Sequence, residues 1–168
     1  EPREDHIAVA NSSGDVVIIG GWTYNTSNNV YSPANTMEVF DAADEKFRRV
    51  KPRETTIAGT YGYGFAASIP TIGVVHCGGV GAAGDPNLWT TVTNCVLIDL
   101  SHTVEDIAPL PVPLAHASMV ALPNRQLLVT GGLQVSATED NSDPVLASSE
   151  TYLYDHDTDV WQPAGLME

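Results

Sequence analysis

The sequence predicts an all-β fold. Its strongest apolar segments are runs of about four β-branched or aliphatic residues bounded by glycines, which is typical of short buried strands. Eleven prolines and 14 glycines are scattered along the 168 residues, and no segment keeps the i, i+3, i+4, i+7 spacing of an amphipathic helix. The runs lie at residues 16–19, 72–75 and 127–129.

The same landmarks recur three times along the chain. Each apolar run leads to a glycine pair, and a second apolar run ending in aspartate follows. The glycine pairs are 58 and 53 residues apart, and the aspartates 58 and 56, which is the signature of a repeat architecture. The landmarks are Gly20-Gly21, Gly78-Gly79 and Gly131-Gly132, then Asp41, Asp99 and Asp155, with His6, Tyr63 and His116 upstream of the three pairs.

The order of these landmarks resembles the kelch repeat, and the resemblance covers essentially the whole chain. The third copy matches best, with Gly131-Gly132, Asp155 and then Trp161 six residues later. The first copy has Phe47 at the aromatic position, whereas the second copy is degenerate and has Glu105 there. In the kelch family each repeat forms one four-stranded antiparallel blade of a β-propeller, which implies blades at about 1–53, 54–110 and 111–168.

Each predicted blade takes its strands in chain order. The glycine pair ends the second strand, where backbones approach closely. The aspartate ends the third strand and begins a turn, and the aromatic on the fourth strand fills the gap between blades. The predicted strands are 5–10, 15–20, 36–41 and 46–50, then 63–69, 72–78, 94–100 and 104–108, and finally 115–121, 126–131, 149–155 and 159–163.

Three blades do not close a ring, because propellers contain roughly four to eight. The sequence therefore predicts either part of a larger propeller, with further blades in a longer native chain, or a homodimer that completes a six-blade ring. In both cases the two end blades need a neighbour.

Composition limits the partners and the compartment. A net charge of −14 argues against nucleic acid or an anionic membrane as a partner and favours a basic protein or peptide. Cys77 and Cys95 lie in apolar, strand-like text, which predicts buried free thiols rather than a bridge and a cytoplasmic location. Two N-glycosylation patterns, Asn11-Ser12-Ser13 and Asn25-Thr26-Ser27, leave an extracellular location as the alternative.

No cofactor, metal or catalytic residue is predicted. The segment from Gly79 to Gly84 matches G-x-G-x-x-G, and Asp99 lies 20 residues after Gly79. However, the following residues do not suit the helix that a dinucleotide site requires. The five histidines lack metal-ligand spacing, and the acidic turn after Asp155 lacks the glycine and distal glutamate of a calcium loop.

The sequence predicts a non-catalytic protein-interaction module that binds a protein or peptide partner through its long loops, at about 21–35, 79–93 and 132–148. Aromatic residues and arginine are common binding hot spots, and loops on a rigid scaffold commonly carry function. The alternative is a propeller-type enzyme or glycan-binding protein of the galactose-oxidase-like or sialic-acid-isomerising kind. The predicted partner-binding residues are Trp22, Tyr24, Arg53, Trp89, Glu139 and Asp140.

Overall fold

The computed structural model describes residues 2–27, 29–34, 36–50, 62–82, 89–135 and 145–167. In these ranges the strands form three four-stranded antiparallel sheets and three two-stranded hairpins, which confirms the predicted all-β fold. We call each four-stranded sheet, with its hairpin, a blade. Nowhere in the described ranges is there a helix long and apolar enough to cross a membrane.

The three blades share one plan, in which the hairpin is inserted between the second and third strands of the sheet. Blade one contains β1 (Ile7–Ala10), β2 (Val16–Ile19), β3 (Trp22–Asn25), β4 (Val30–Pro33), β5 (Met37–Asp41) and β6 (Lys46–Val50). Blade two contains β7 (Phe65–Ile69), β8 (Gly73–Cys77), β9 (Val80–Ala82), β10 (Trp89–Thr91), β11 (Cys95–Asp99) and β12 (Val104–Ile107). Blade three contains β13 (Ser118–Leu122), β14 (Gln126–Thr130), β15 (Leu133–Gln134), β16 (Leu146–Ala147), β17 (Glu150–Asp155) and β18 (Val160–Leu166).

The twelve strands of the three sheets match the predicted ranges to within about three residues at each end. The hairpins β3–β4, β9–β10 and β15–β16 were not predicted, because these segments were interpreted as loops. Their strands have two to four residues, too short for an alternating hydrophobic pattern to be recognised.

The glycine pairs turn the chain in the same way in every blade. All six glycines have positive φ, from 62° at Gly78 to 113° at Gly79, a region that residues with a Cβ rarely adopt. A Cβ on Gly78 would also lie 2.3 Å from the carbonyl oxygen of Leu114. Both the backbone conformation and the lack of space therefore require glycine there.

The residue after each glycine pair bonds to the segment that precedes the first strand of its blade. The amide nitrogens donate to carbonyl oxygens at 2.7–2.8 Å in all three blades: Trp22 to Glu4, Val80 to Gly62, and Leu133 to Ala115. We call these contacts the glycine-pair bridges. The next residue in each segment, Asp5, Tyr63 or His116, has positive φ. Asp5, rather than the predicted His6, is thus the structural equivalent of Tyr63 and His116.

The aspartate turns form as predicted, but the turn of blade two is shorter. The Asp99 carboxylate accepts from the amides of Ser101 and Thr103, both at 2.8 Å, and β11 pairs Ile98 with Val104. In blade one Phe40 pairs with Phe47, so Val104 occupies the aromatic position. The assignment of Glu105 to this position is wrong, because a residue missing from the turn shifts the register by one.

Two apolar clusters fill the spaces between adjacent blades. Val17, Ile19, Met37 and Val39 of blade one pack with Val74, Val96, Ile98 and Val104 of blade two. The opposite side of blade two, including Phe65, Val75 and Leu97, packs with Leu127, Val129, Tyr152 and Tyr154 of blade three. Blade two is therefore covered on both faces, whereas each end blade has an apolar cluster on one face only among the residues that the structure describes.

Cys77 and Cys95 form a disulfide, so the prediction of free thiols is wrong. The two residues are direct partners on β8 and β11, with Cα atoms 4.1 Å apart, and both side chains are buried. The apolar context of the cysteines was interpreted correctly as buried strand. The disulfide depends on the register between β8 and β11, which places two cysteines 18 residues apart in sequence opposite each other. Local sequence does not reveal this register.

Trp161 on β18 joins blade three to blade two. Its indole nitrogen donates to the carbonyl oxygen of Ala108 at 2.9 Å, and the Ala108 amide donates to the carboxylate of Asp159 at 2.9 Å. The ring is half-buried and packs on the cluster between the two blades. The equivalent Phe47 of blade one packs on no preceding blade among the described residues, and 64% of its surface is exposed.

We expect Trp161→Ala to lower the free energy of unfolding by about 2–3 kcal/mol, somewhat less than for a fully buried tryptophan, because it removes apolar contact and a hydrogen bond. Phe47→Ala is the matched control at the equivalent position and should change stability by less than about 0.5 kcal/mol in the isolated monomer. Urea unfolding measures both. Equal losses for the two variants would contradict the assigned packing.

His76 is a buried histidine in the middle of blade two. Its side chain is 5% exposed, and its Nε2 atom is buried without a hydrogen-bond partner in the described structure. A Cβ on Gly64 would lie 2.3 Å from that atom, so the ring lies directly against the backbone of the segment before β7. Burial lowers the pKa of His76 from 6.5 to about 4.

This pKa makes the fold sensitive to acid. Between pH 6.5 and 4 the unfolded chain binds a proton at His76 that the folded chain does not, so stability falls as the pH falls. We expect His76 to contribute a loss on the order of 2–3 kcal/mol between pH 7 and 4.5. His76→Val, which places there the residue that blade three has at Val129, should weaken this pH dependence in urea unfolding. An unchanged pH dependence would show that His76 is not responsible.

Candidate interaction surface

The three hairpins lie at the same end of their blades. Each hairpin begins at a glycine-pair bridge, and the bridge connects it to the segment that enters the first strand. The hairpins of blades two and three also contact each other, because the Thr91 amide and hydroxyl both donate to the Val135 carbonyl oxygen at 3.1 Å. The described parts of the hairpins therefore lie together with the segments that enter the first strands.

Trp22 packs between blades. A Cβ on Gly62 would lie 1.7 Å from the indole Nε1 of Trp22, so this ring rests directly on the backbone of blade two. The indole also lies 6.3 Å, centroid to centroid, from the ring of Tyr63. Trp22 is therefore a structural contact between blades one and two as well as part of the hairpin face.

Tyr63 continues this row of rings into blade three. Its ring stacks on His116 with centroids 4.3 Å apart and an interplanar angle of 27°, and the His116 amide donates to the Tyr63 carbonyl oxygen at 2.9 Å. Burial raises the pKa of the Tyr63 phenol above its ordinary value, and the Asp5 carboxylate raises it further. Trp22, Tyr63 and His116 thus link the three blades where their first strands begin.

Tyr24 is the exposed aromatic of the first hairpin. Its ring lies 4.8 Å from that of Tyr31, its direct partner across the hairpin, and the two side chains are 47% and 51% exposed. A groove of about 430 Å³ runs beside this pair and is lined also by Pro2, Arg3, Glu4, Trp22 and Thr26. Tyr24 and Tyr31 thus lie beside the carboxylate of Glu4, and exposed aromatic side chains next to a charged group suit a contact with another protein.

The remaining predicted site residues are only partly described. Trp89 begins β10 in the second hairpin. Arg53, Glu139 and Asp140 lie outside the described residues. Tyr31 and Glu4 were not among the predicted site residues, although Tyr31 could have been found from the polar turn between it and Tyr24, which suggests a hairpin that pairs the two rings.

The structure accounts for two parts of the G-x-G-x-x-G motif that the sequence analysis rejected as a nucleotide site. Val80–Ala82, within the glycine-rich stretch, form β9 of a hairpin, and Asp99 accepts hydrogen bonds in a turn. Among the described residues, no three His, Cys, Asp or Glu side chains lie close enough together to hold a metal ion.

No protein-family model and no curated protein matches the chain.

Trp22 and Tyr24 should respond differently to truncation. We expect Trp22→Ala to lower the free energy of unfolding by about 2–3 kcal/mol, because it removes packing between two blades. Tyr24→Ala should change it by less than about 0.5 kcal/mol, because the ring is half exposed on a hairpin. Urea unfolding of both variants tests this, and a stable Trp22→Ala would contradict the inter-blade role of Trp22.

Proposed function

We propose that the chain is a non-catalytic protein-interaction module, similar to a kelch propeller, that binds through the outer faces of its two end blades and their hairpins. One observation carries the proposal. Among the described residues, the exposed large hydrophobic side chains all lie in blades one and three. They are Tyr24, Val30, Tyr31 and Phe47 in blade one, and Val120, Val145, Leu146, Val160, Leu166 and Met167 in blade three.

The outer face of blade three resembles a blade contact that lacks its partner. Val120, Leu128 and Leu153 occupy the positions that Ala67, Val75 and Leu97 hold in blade two. The blade two residues are at most 8% exposed, whereas Val120 is 51% exposed and both leucines are half-buried. Monomeric proteins rarely leave such contiguous apolar surface in water.

The outer face of blade one offers a matching surface. Ile18, Phe40 and Phe47 lie where blade three presents Val129, Tyr154 and Trp161 to its neighbour. A second groove, of about 460 Å³, is lined by Ile18 and Phe47 together with Pro2, Arg3, His6 and Glu38. A blade that packs here would cover Phe47 as blade two covers Trp161.

We propose a second copy of this chain as the partner, because the two outer faces complement each other in size. The cluster between blades two and three contains the small Ala67 from blade two and the large Met119 from blade three. The cluster between blades one and two contains Val9 from blade one and Ala66 from blade two. At a contact between blade three and blade one of a second copy, Val120 would meet Ala8, the same combination as Val9 and Ala66.

The polar groups also correspond. Thr130 and Thr151 replace the cysteine pair of blade two on the outer face of blade three. On the outer face of blade one, the position of Tyr152 is taken by Glu38, which accepts from the Arg3 guanidinium at 3.1 Å. Packing the two faces together would place these hydrogen-bonding groups in the same row, as a specific contact requires.

The hairpins extend the proposed contact. Thr91 and Val135 join the hairpins of blades two and three, and their equivalents at a contact between copies are Ala147 and Tyr24. Ala147 and its neighbours Val145 and Leu146 are exposed. Seating them in the groove beside Tyr24 and Tyr31 would close a head-to-tail ring of two chains and six blades.

The test is the mass of the chain in solution. At micromolar concentration, light scattering should give twice the chain mass of 17.9 kDa. Val120→Arg and Phe47→Arg, one on each outer face, should each give a monomer, because a charge buried in the contact is costly. Asp106 is exposed on β12, the fourth strand of blade two, away from the proposed contact. Asp106→Arg is therefore the matched control, and this variant should remain a dimer.

A folded wild-type monomer would contradict the second copy as partner. If that monomer binds basic peptides and loses them on Tyr24→Ala, the loop-binding function predicted from the sequence is favoured instead. If Asp106→Arg dissociates the dimer while Val120→Arg does not, the contact lies elsewhere on the surface.

A further inference from the structure

The two N-glycosylation patterns of the sequence have different structural settings. Asn11 lies in the turn between β1 and β2, and its side chain is 7% exposed. Its side-chain oxygen accepts from the amides of Ser13 at 2.9 Å and Asp15 at 3.0 Å. A bulky glycan on this amide would require the turn to open, so a folded chain does not accommodate one.

Asn25 is the opposite case. It ends β3 at the tip of the first hairpin and is exposed, as are Thr26 and Ser27. Its side-chain oxygen accepts from the local amide of Ser27 at 2.9 Å. Its partner across the hairpin is Val30, itself 49% exposed. The side-chain amide of Asn25 therefore has room for a large substituent.

The position of Asn25 on the hairpin also keeps such a substituent away from the proposed protein contact. Successive side chains of a strand point to opposite sides. Trp22 and Tyr24 line the groove, so Thr23 and Asn25 point to the other side of the hairpin. A glycan on Asn25 would leave the pair formed by Tyr24 and Tyr31 accessible.

The disulfide is an independent observation that points to the compartment in which glycans are added. Disulfides form and persist in oxidising environments and are rare where glutathione keeps thiols reduced. The bond between Cys77 and Cys95 is buried in blade two, so it forms as the blade folds. A chain that folds in the secretory pathway also meets the enzymes that modify asparagine.

We propose that the chain folds in the secretory pathway, where Asn25 carries an N-linked glycan and Asn11 does not. A secretory location replaces the cytoplasmic one predicted from the sequence. In the modification, the side-chain nitrogen of Asn25 bonds to the anomeric carbon of an oligosaccharide carried on a lipid diphosphate. The bond between that carbon and the diphosphate oxygen breaks, the lipid diphosphate leaves, and the amide nitrogen loses one proton.

The experiment is expression of the full chain behind a secretion leader in a glycosylating host. Peptide N-glycosidase treatment in heavy-oxygen water converts a glycosylated asparagine to labelled aspartate, which peptide mass spectrometry locates. We expect the label on Asn25, and we expect treatment to lower the apparent mass of the protein on a gel by a single step. A non-reducing peptide map should show Cys77 linked to Cys95.

The variants separate the two acceptor sites. Ser27→Ala and Asn25→Gln should each abolish the mobility shift, and two different substitutions guard against a folding defect in either one. Ser13→Ala, which destroys only the Asn11 pattern, is the matched control and should keep the shift. An unlabelled Asn25, or a label on Asn11 in the folded secreted protein, would overturn the proposal. Neither outcome depends on whether the chain forms a dimer.

Discussion

The glycine-pair bridge is the interaction on which the rest of the structure depends. Two successive glycines with positive φ reverse the chain after the second strand of each blade. The next amide then bonds to the segment that leads into the first strand. This bond positions the hairpin and places Asp5, Tyr63 or His116 at the start of the first strand. Because the same bond occurs in all three blades, it also brings each hairpin and the segment that enters the first strand to the same end of the blade.

The second constraint is that a blade is apolar on both faces. Blade two satisfies it within this chain, with one cluster against each neighbour. Within the described ranges, blades one and three have such a cluster on one side only, and Phe47 and Val120 are exposed on the other side. The proposed dimer and the proposed glycan use different parts of this molecule. The dimer needs the end faces and the groove side of the first hairpin, whereas the glycan needs the opposite side of that hairpin.

The fold was predictable because its landmarks recur, whereas the details that failed depend on contacts distant in sequence. Glycines and aspartates are required locally, by positive φ and by turns, so their spacing located the strands of all three sheets. The prediction of Glu105 at the position that Val104 occupies was wrong because the turn of blade two is one residue shorter. The prediction of free thiols was wrong because the pairing of β8 with β11 is not visible in the local sequence. The candidate site was less predictable. Sequence placed Trp22 and Tyr24 together among the candidate binding residues, but it did not show that Trp22 rests on Gly62 in the next blade.

Amide hydrogen exchange at Trp22, Val80 and Leu133 tests the central claim most directly. These three residues lie just outside the four-stranded sheets, and each donates its amide to a glycine-pair bridge. Exchange measured by NMR should be as slow at all three amides as in the central strands β2, β8 and β14, because the bridge opens only when its blade unfolds. Fast, loop-like exchange at these amides, beside slow exchange in the sheets, would show that the bridges do not hold each hairpin to the entry segment of its blade.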